Sequence, residues 1–256
     1  DIKTFYTALS SIDEIVAQIR DNPPKVIGIS APVDSQSELL SLLDKIQALQ
    51  LTGTKIVLGG IVPSVAYESL LQRYPNIYII TGEGEVALQR FMEWVEQKNE
   101  LRNIPNLVLV ENGSLKRTAA KEPISMETAT YQPSLEITKK MLEKYGSEGL
   151  YYYMETGRGC IGACIFCAMQ VAYNGNTKPR RYPIKTVLEN IQLAYQVGVR
   201  LFQFADPEFI NNNYDWVIQF AQGLIKTGYK LELEIDARLD SLFDKKDNPE
   251  ITAKKK

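Results

Sequence analysis

The chain has 256 residues, of which 45% are apolar and 23% charged, with a formal net charge of −2; that balance suits a globular protein with its own core and excludes a disordered or fibrous chain. No apolar run approaches the roughly 18 residues of a membrane span, no signal-peptide pattern opens the chain, and the charge gives no basic field for nucleic acid, so the sequence reads as cytoplasmic. Histidine is absent and the three cysteines are crowded together, which excludes an imidazole base, a Ser-His-Asp triad, any imidazole metal ligand and a disulfide framework.

Ser11-Ile12-Asp13-Glu14 reads as a capping box opening a helix that ends before Asn22-Pro23-Pro24. Short β-rich runs over 25–30, 55–58 and 76–80 alternate with helical spacing over 37–50, 65–74 and 85–97. Near-continuous apolar strands alternating with helices predict an α/β fold, a doubly wound parallel sheet of Rossmann-like type. Ligands of such sheets bind beyond the carboxyl ends of the strands. Those ends carry Ser30, Gly59-Gly60 and Thr81-Gly82-Glu83-Gly84, where small residues either let a bulky ligand approach the backbone or merely make tight turns. Residues 107–110 and 115–117 around Asn112-Gly113 predict a hairpin that closes a first domain of residues 1–120.

A connecting segment, 121–149, is interrupted by Pro123 and Pro133 and holds one helix over 135–145. From residue 150 to 256 a second series begins: a strand over 150–154, a helix over 184–197 stopped by Gly198, a strand over 199–204, a helix over 214–226 and a strand over 231–235. This βαβαβ order predicts the opening half of a βα barrel with functional groups on the loops after each strand. The basic stretch Lys178-Pro179-Arg180-Arg181 reads as an ordinary solvated loop charge.

Between the first two strands of that series lie Cys160, Cys164 and Cys167, spaced C-x-x-x-C-x-x-C among Gly157, Gly159 and Gly162. A structural zinc site wants four closed ligands, and this chain offers neither a fourth cysteine nor a histidine. Three thiolates suit a 4Fe-4S cluster with one iron left for a ligand that is not protein.

At this point the sequence resembles the radical S-adenosylmethionine (SAM) enzymes, matching their motif at Cys160, Cys164 and Cys167 with the aromatic Phe166 before the third cysteine. The resemblance implies that the open iron holds SAM, that one electron splits it, and that the resulting radical abstracts hydrogen from substrate. It also implies Phe166 beside the adenine, Asp206 and Glu208 for the SAM ammonium, and Glu234 and Arg238 for its ribose or carboxylate.

With a preceding parallel sheet, the chain is similar to the cobalamin-binding radical SAM family, which includes methyltransferases acting on unactivated carbon. Ser30, Gly59, Gly60, Thr81, Gly82, Glu83 and Gly84 would then surround the corrin and its nucleotide tail, with cobalt receiving no protein imidazole. The implied partners are a small-molecule or natural-product-like substrate and a reducing donor such as flavodoxin or ferredoxin. Two other readings stay open: a radical SAM dehydratase, epimerase or rearrangement enzyme without functional cobalamin, and a non-catalytic iron–sulfur protein. The start at Asp1 and the end at Lys254-Lys255-Lys256 suggest an internal piece of a longer enzyme, since about 90 residues after Cys167 make room for roughly three βα units, fewer than the family's partial barrel has.

Overall fold

The computed structural model describes residues 2–121, 123–127, 134–173, 175 and 177–242, so the expected interruption at Pro133 and the Lys254–Lys256 end fall outside the described residues. The chain divides into two compact units, Asp1–Pro123 with Cys164–Asn176, and Ile124–Ala163 with Thr177–Lys256.

The first unit begins with α1 (Ile12–Asp21), whose capping box forms as expected: Glu14 N–H donates to Ser11 Oγ and the Glu14 carboxylate accepts from Ser11 N–H. Then come β1 (Val26–Ser30), α2 (Gln36–Ala48), β2 (Lys55–Gly59), α3 (Ile61–Arg73), β3 (Tyr78–Ile80), α4 (Glu85–Val95), β4 (Leu107–Glu111) and β5 (Ser114–Arg117). The sheet order is β1-β2-β3-β4-β5, with the first three strands parallel and the predicted hairpin added antiparallel at the edge. The α/β class therefore stands, with a mixed rather than purely parallel sheet.

Alternation along the strands divides the core between two faces, because successive side chains point to opposite sides of a sheet. Leu58, Ile79 and Val108 pack with Leu39 and Leu43 of α2 and Leu70 and Leu71 of α3, and Ile27 packs with α1. Their neighbours Val57, Ile80 and Leu107 pack with Ala87 and Phe91 of α4. Helix α3 starts four residues earlier than the sequence pattern suggests. Its Pro63 lies in the first turn, where no intrahelical N–H is required.

The second unit holds α5 (Leu135–Tyr145), β6 (Tyr151–Met154), β7 (Gly157–Arg158), β8 (Arg180–Arg181), α7 (Ile184–Gln196), β9 (Leu201–Phe204), α8 (Tyr214–Thr227) and β10 (Glu232–Glu234). Between β7 and β8 the chain forms α6 (Met169–Ala172), which packs on α3 as part of the first unit. Strands β6, β9 and β10 form a parallel sheet in the order β10-β9-β6, and β7 pairs antiparallel with β8. On one face Met154, Phe202 and Phe204 are buried with Val187, Ile191 and Ala194 of α7 and Phe220 of α8. On the other, Tyr151, Tyr153, Glu232 and Glu234 are exposed. Among the described residues no helix is long and apolar enough to cross a membrane.

Helix α3 is anchored at its carboxyl end by Tyr74, whose hydroxyl donates to Asp44 of α2 at 2.6 Å, while Arg73 donates to the same carboxylate at 2.7 Å. Burial, and then the Asp44 hydrogen bond, pushes the Tyr74 phenol up to about 12. A phenol raised above its unfolded value contributes stability that is complete below about pH 10 and is lost as the pH rises towards 12. Tyr74→Phe should cost about 1 kcal/mol at neutral pH. In urea unfolding, its difference from the wild type should stay constant up to about pH 10 and shrink between there and pH 12.

Candidate functional site

Ser30, Gly59, Gly60 and the Thr81–Gly84 loop lie at the carboxyl ends of three neighbouring parallel strands. Backbone hydrogen bonds stitch the first two ends together: Ala31 N–H donates to Gly59 O at 3.0 Å and Val62 N–H to Ala31 O at 3.2 Å. Gly60 is structural. At φ 92° it occupies a conformation that side chains rarely adopt, and a Cβ there would stand 2.6 Å from Ala31 O. Gly59 and Gly84 are different, because a Cβ at Gly59 would meet only Ile80 O at 4.0 Å and one at Gly84 would meet nothing within 4 Å. Tight turning thus explains Gly60, while Gly59 and Gly84 leave the room that a bulky ligand needs.

Thr81 departs from expectation: it is fully buried, and both its N–H and its hydroxyl donate to Asn106 O, at 3.0 and 3.2 Å, so its side chain is committed to the protein. Gly82, Glu83 and Gly84 remain partly exposed. Sequence reasoning missed Ser64. Its hydroxyl donates to Gly60 O at 2.8 Å, four residues back, and accepts from Gly82 N–H at 3.1 Å, tying the second strand end to the third.

In the second unit the corresponding loops meet around two buried acids. Asp206, just after β9, is 1% exposed and accepts from Thr156 N–H at 2.7 Å, Thr156 Oγ1 at 2.6 Å, Gly157 N–H at 3.2 Å and the Arg181 guanidinium. Arg181 also donates to Phe209 O and lies over the rings of Phe209 and Trp216, 5.3 and 4.9 Å from their centroids. Burial opposes charge on both partners, pushing the Asp206 carboxyl up and the Arg181 guanidinium down, while their attraction and the Thr156 donors favour the ionised pair. The solvated-charge reading of residues 178–181 fits exposed Lys178 but is corrected at Arg180 and Arg181. Arg181 sits in strand β8 inside a buried ion pair, and Arg180 Nη1 donates to Ile124 O at 2.8 Å.

Glu208 is fully buried; one oxygen accepts from Ile210 N–H at 3.1 Å and Asn211 N–H at 3.2 Å, the other from Arg238 N–H. The expectation that Asp206 and Glu208 hold an ammonium thus meets two carboxylates whose oxygens are engaged by internal donors. Arg238 forks onto Asp240 at 2.9 and 2.6 Å, and its guanidinium lies against Gly162. Glu234 is exposed and accepts from Gln203 Nε2 at 3.2 Å across the β9–β10 pair. Phe166 is 88% exposed.

All three cysteines are free and partly buried. Cys160 belongs to the second unit, while Cys164 and Cys167 lie in the segment that groups with the first. The chain turns into Cys160 at Gly159, whose φ is 87° and whose missing Cβ lets Thr177 O approach; Cys160 N–H donates to that carbonyl at 2.8 Å. Asn211, also missed, donates to Gly159 O and accepts from Ile161 N–H, both at 3.0 Å. Gly162 N–H reaches Cys160 Sγ at 3.2 Å. Among the described residues no group of three or more His, Cys, Asp or Glu side chains is gathered to hold a metal ion. In donor chemistry the free thiols fit a cluster, and the open flanks of Gly59 and Gly84 fit a bulky planar cofactor.

Residues 4–92 match the B12 binding domain family. Over 252 residues the chain is 25% identical to 4'-phospho-dehydrooxetanocin synthase of Priestia megaterium, covering 93% of this chain and 33% of the synthase. Several solved structures share its fold. The cobalamin-dependent SAM radical enzyme OxsB, with aqua-cobalamin and SAM bound, aligns with a TM-score of 0.81 at 23% identity over 96% of this chain and 35% of its own. The radical SAM methyltransferase TsrM of Kitasatospora setae, with cobalamin and a 4Fe-4S cluster bound, aligns with a TM-score of 0.67 at 15% identity over 88% of this chain and 46% of its own. The chain therefore spans between a third and a half of the length of these proteins.

If the Arg181–Asp206 pair organises the loop ahead of Cys160, Arg181→Met should destabilise the second unit by about 3–5 kcal/mol, since it strands a buried carboxylate. Arg181→Met with Asp206→Asn should recover part of that loss, because the neutral carboxamide removes the stranded charge yet keeps an acceptor oxygen for the Thr156 and Gly157 N–H groups. Urea unfolding followed by fluorescence in a Trp94→Phe background, where Trp216 beside Arg181 is the remaining tryptophan, measures both.

Proposed function

We propose that this chain, a relative in sequence and fold of the cobalamin-dependent radical SAM enzymes, binds a 4Fe-4S cluster through Cys160, Cys164 and Cys167, SAM beside it, and cobalamin over the strand ends of the first unit. The whole enzyme is a methyltransferase acting on an unactivated carbon of a small, natural-product-like molecule, with flavodoxin or ferredoxin as electron donor. The observation that carries this reading is a conjunction. A B12-binding match over residues 4–92 precedes a three-cysteine loop that follows the first strand of a parallel βα series.

Such groups, when bound, supply one-electron cleavage of SAM and carriage of a methyl group. The protein's share is binding, orientation and electrostatics. Three thiolates give softness and negative charge to iron and leave one coordination position open. Phe166 offers an exposed ring for the flat face of an adenine, and Glu234 and Arg238 offer opposite charges for a zwitterion. Asp206 and Glu208 serve the same site as positioning residues: Asp206 holds the Thr156-Gly157 backbone that leads into the cysteine loop, and Glu208 holds the backbone of Asn211, whose side chain reaches Gly159 and Ile161. In the first unit Gly59 and Gly84 leave backbone open to a large ring. The chain gives cobalt no imidazole, since it contains no histidine.

Anaerobic reconstitution should load about four iron and four sulfide per chain, the count of one 4Fe-4S cluster, and reduction in the presence of SAM should release 5'-deoxyadenosine. Cys164→Ala should lose the iron. Hydroxocobalamin should comigrate with the protein on gel filtration, and Gly59→Trp should abolish comigration while leaving iron content unchanged. A zinc-replete, iron-free protein that still cleaved SAM would overturn the cluster assignment. Wild-type protein that never retained cobalamin would leave a radical SAM enzyme without that cofactor.

A further inference from the structure

Asn211 occupies an unusual place in the second unit. It is 8% exposed, has φ 48°, and follows β9 by seven residues, yet its side chain reaches the turn that carries Cys160. Nδ2 donates to Gly159 O at 3.0 Å and to Glu208 O at 2.6 Å, and Oδ1 accepts from Ile161 N–H at 3.0 Å. One carboxamide therefore bridges the peptide before Cys160 and the peptide after it. The amide has one workable orientation, because a flip would set its NH2 against the Ile161 N–H and its oxygen against two carbonyls.

Asn211 is itself held by Glu208, whose carboxylate accepts from the Ile210 and Asn211 N–H groups and so supports the left-handed backbone at Asn211. Asn adopts that region more readily than most residues, because its short polar side chain bonds locally.

The peptide fixed by Asn211 leads directly to Gly162, whose N–H points at Cys160 Sγ at 3.2 Å. Hydrogen bonds to cluster sulfurs are among the factors that set reduction potential, because they stabilise the more negative, reduced state. We propose that Asn211 is the positioning residue of Cys160: its carboxamide fixes the turn on both sides of the cysteine and thereby maintains the Gly162 N–H···Sγ bond that raises the reduction potential of a cluster ligated there. The inference rests on the cluster reading given under Proposed function.

The test compares wild type with Asn211→Gly, which keeps the left-handed backbone and removes only the carboxamide, and with Asn211→Asp, which keeps the acceptor for Ile161 N–H. In metal-free protein, hydrogen exchange at the Ile161 and Gly162 amides should accelerate at least tenfold in Asn211→Gly, with smaller acceleration at Ile161 in Asn211→Asp, and with α7 and α8 amides unchanged. After reconstitution, Asn211→Gly should show a more negative cluster potential by redox titration monitored by electron paramagnetic resonance, and severalfold faster iron loss to a ferrous chelator. Accelerated exchange at Ile161 with an unchanged potential overturns the proposal, because Asn211 would then shape the loop without reaching the sulfur. Unchanged exchange at both amides also overturns it. Wild-type protein that takes up no iron defeats the cluster reading, while the exchange arm still judges whether Asn211 fixes the Cys160 turn.

Discussion

In the second unit, the buried pair between Arg181 and Asp206 is the constraint from which the path into Cys160 follows. Burying two opposite charges costs several kcal/mol per ion unless geometry and further hydrogen bonds offset it. Here Asp206 gains three donors from Thr156 and Gly157, and Arg181 gains a carbonyl and two aromatic faces. These partners come from the turn leading from β6 into β7, from β8, from the loop after β9 and from α8. Satisfying one carboxylate therefore fixes four stretches of chain against each other. The path into Cys160 is one of them.

A related economy governs the first unit, with neutral groups in place of charges. Strand ends β1, β2 and β3 are joined by main-chain bonds at Ala31 and by the Ser64 hydroxyl between Gly60 and Gly82. Such ties set the shape of the rim in advance, which is what any ligand recognised by backbone and small residues rather than by single side chains would require. The open space at Gly59 and Gly84, set against the crowding at Gly60, separates the part of this rim that faces outward from the part that packs inward.

The two acids after β9 show how a fold can change the meaning of a residue. The family resemblance implies that Asp206 and Glu208 await a cationic ligand, yet both face into the protein and organise loops. Exposed charge lies on Glu234 and, in part, Arg238. Of the four acidic and basic candidates at the ends of β9 and β10 and in the loops that follow, only Glu234 and Arg238 keep side chains at the surface, where each is paired with an exposed or partly exposed neighbour, Gln203 and Asp240.

Much of the scaffold was legible because its signals are local. The Ser11–Glu14 capping box, the alternating apolar strands, the Asn112-Gly113 hairpin and the helix stop at Gly198 involve residues within a few positions of one another, and each appears where its pattern placed it. The three-cysteine spacing and the absence of histidine are likewise sequence facts, and they limit the metal chemistry before any fold is known. Arg181, Asn211 and Ser64 were not legible. Their partners lie 25, 50 to 52 and 18 residues away in the chain, so nothing in their immediate surroundings marks them. Nor did the sequence announce that residues 164–176, with two of the cysteines, would fold onto the first unit. Sequence by itself determined which elements form and which ligand types exist, because propensity and spacing act over one or two turns of chain. Only the tertiary structure decided which charged groups are spent inside and which remain available, because burial and long-range hydrogen bonding exist only once distant segments have met.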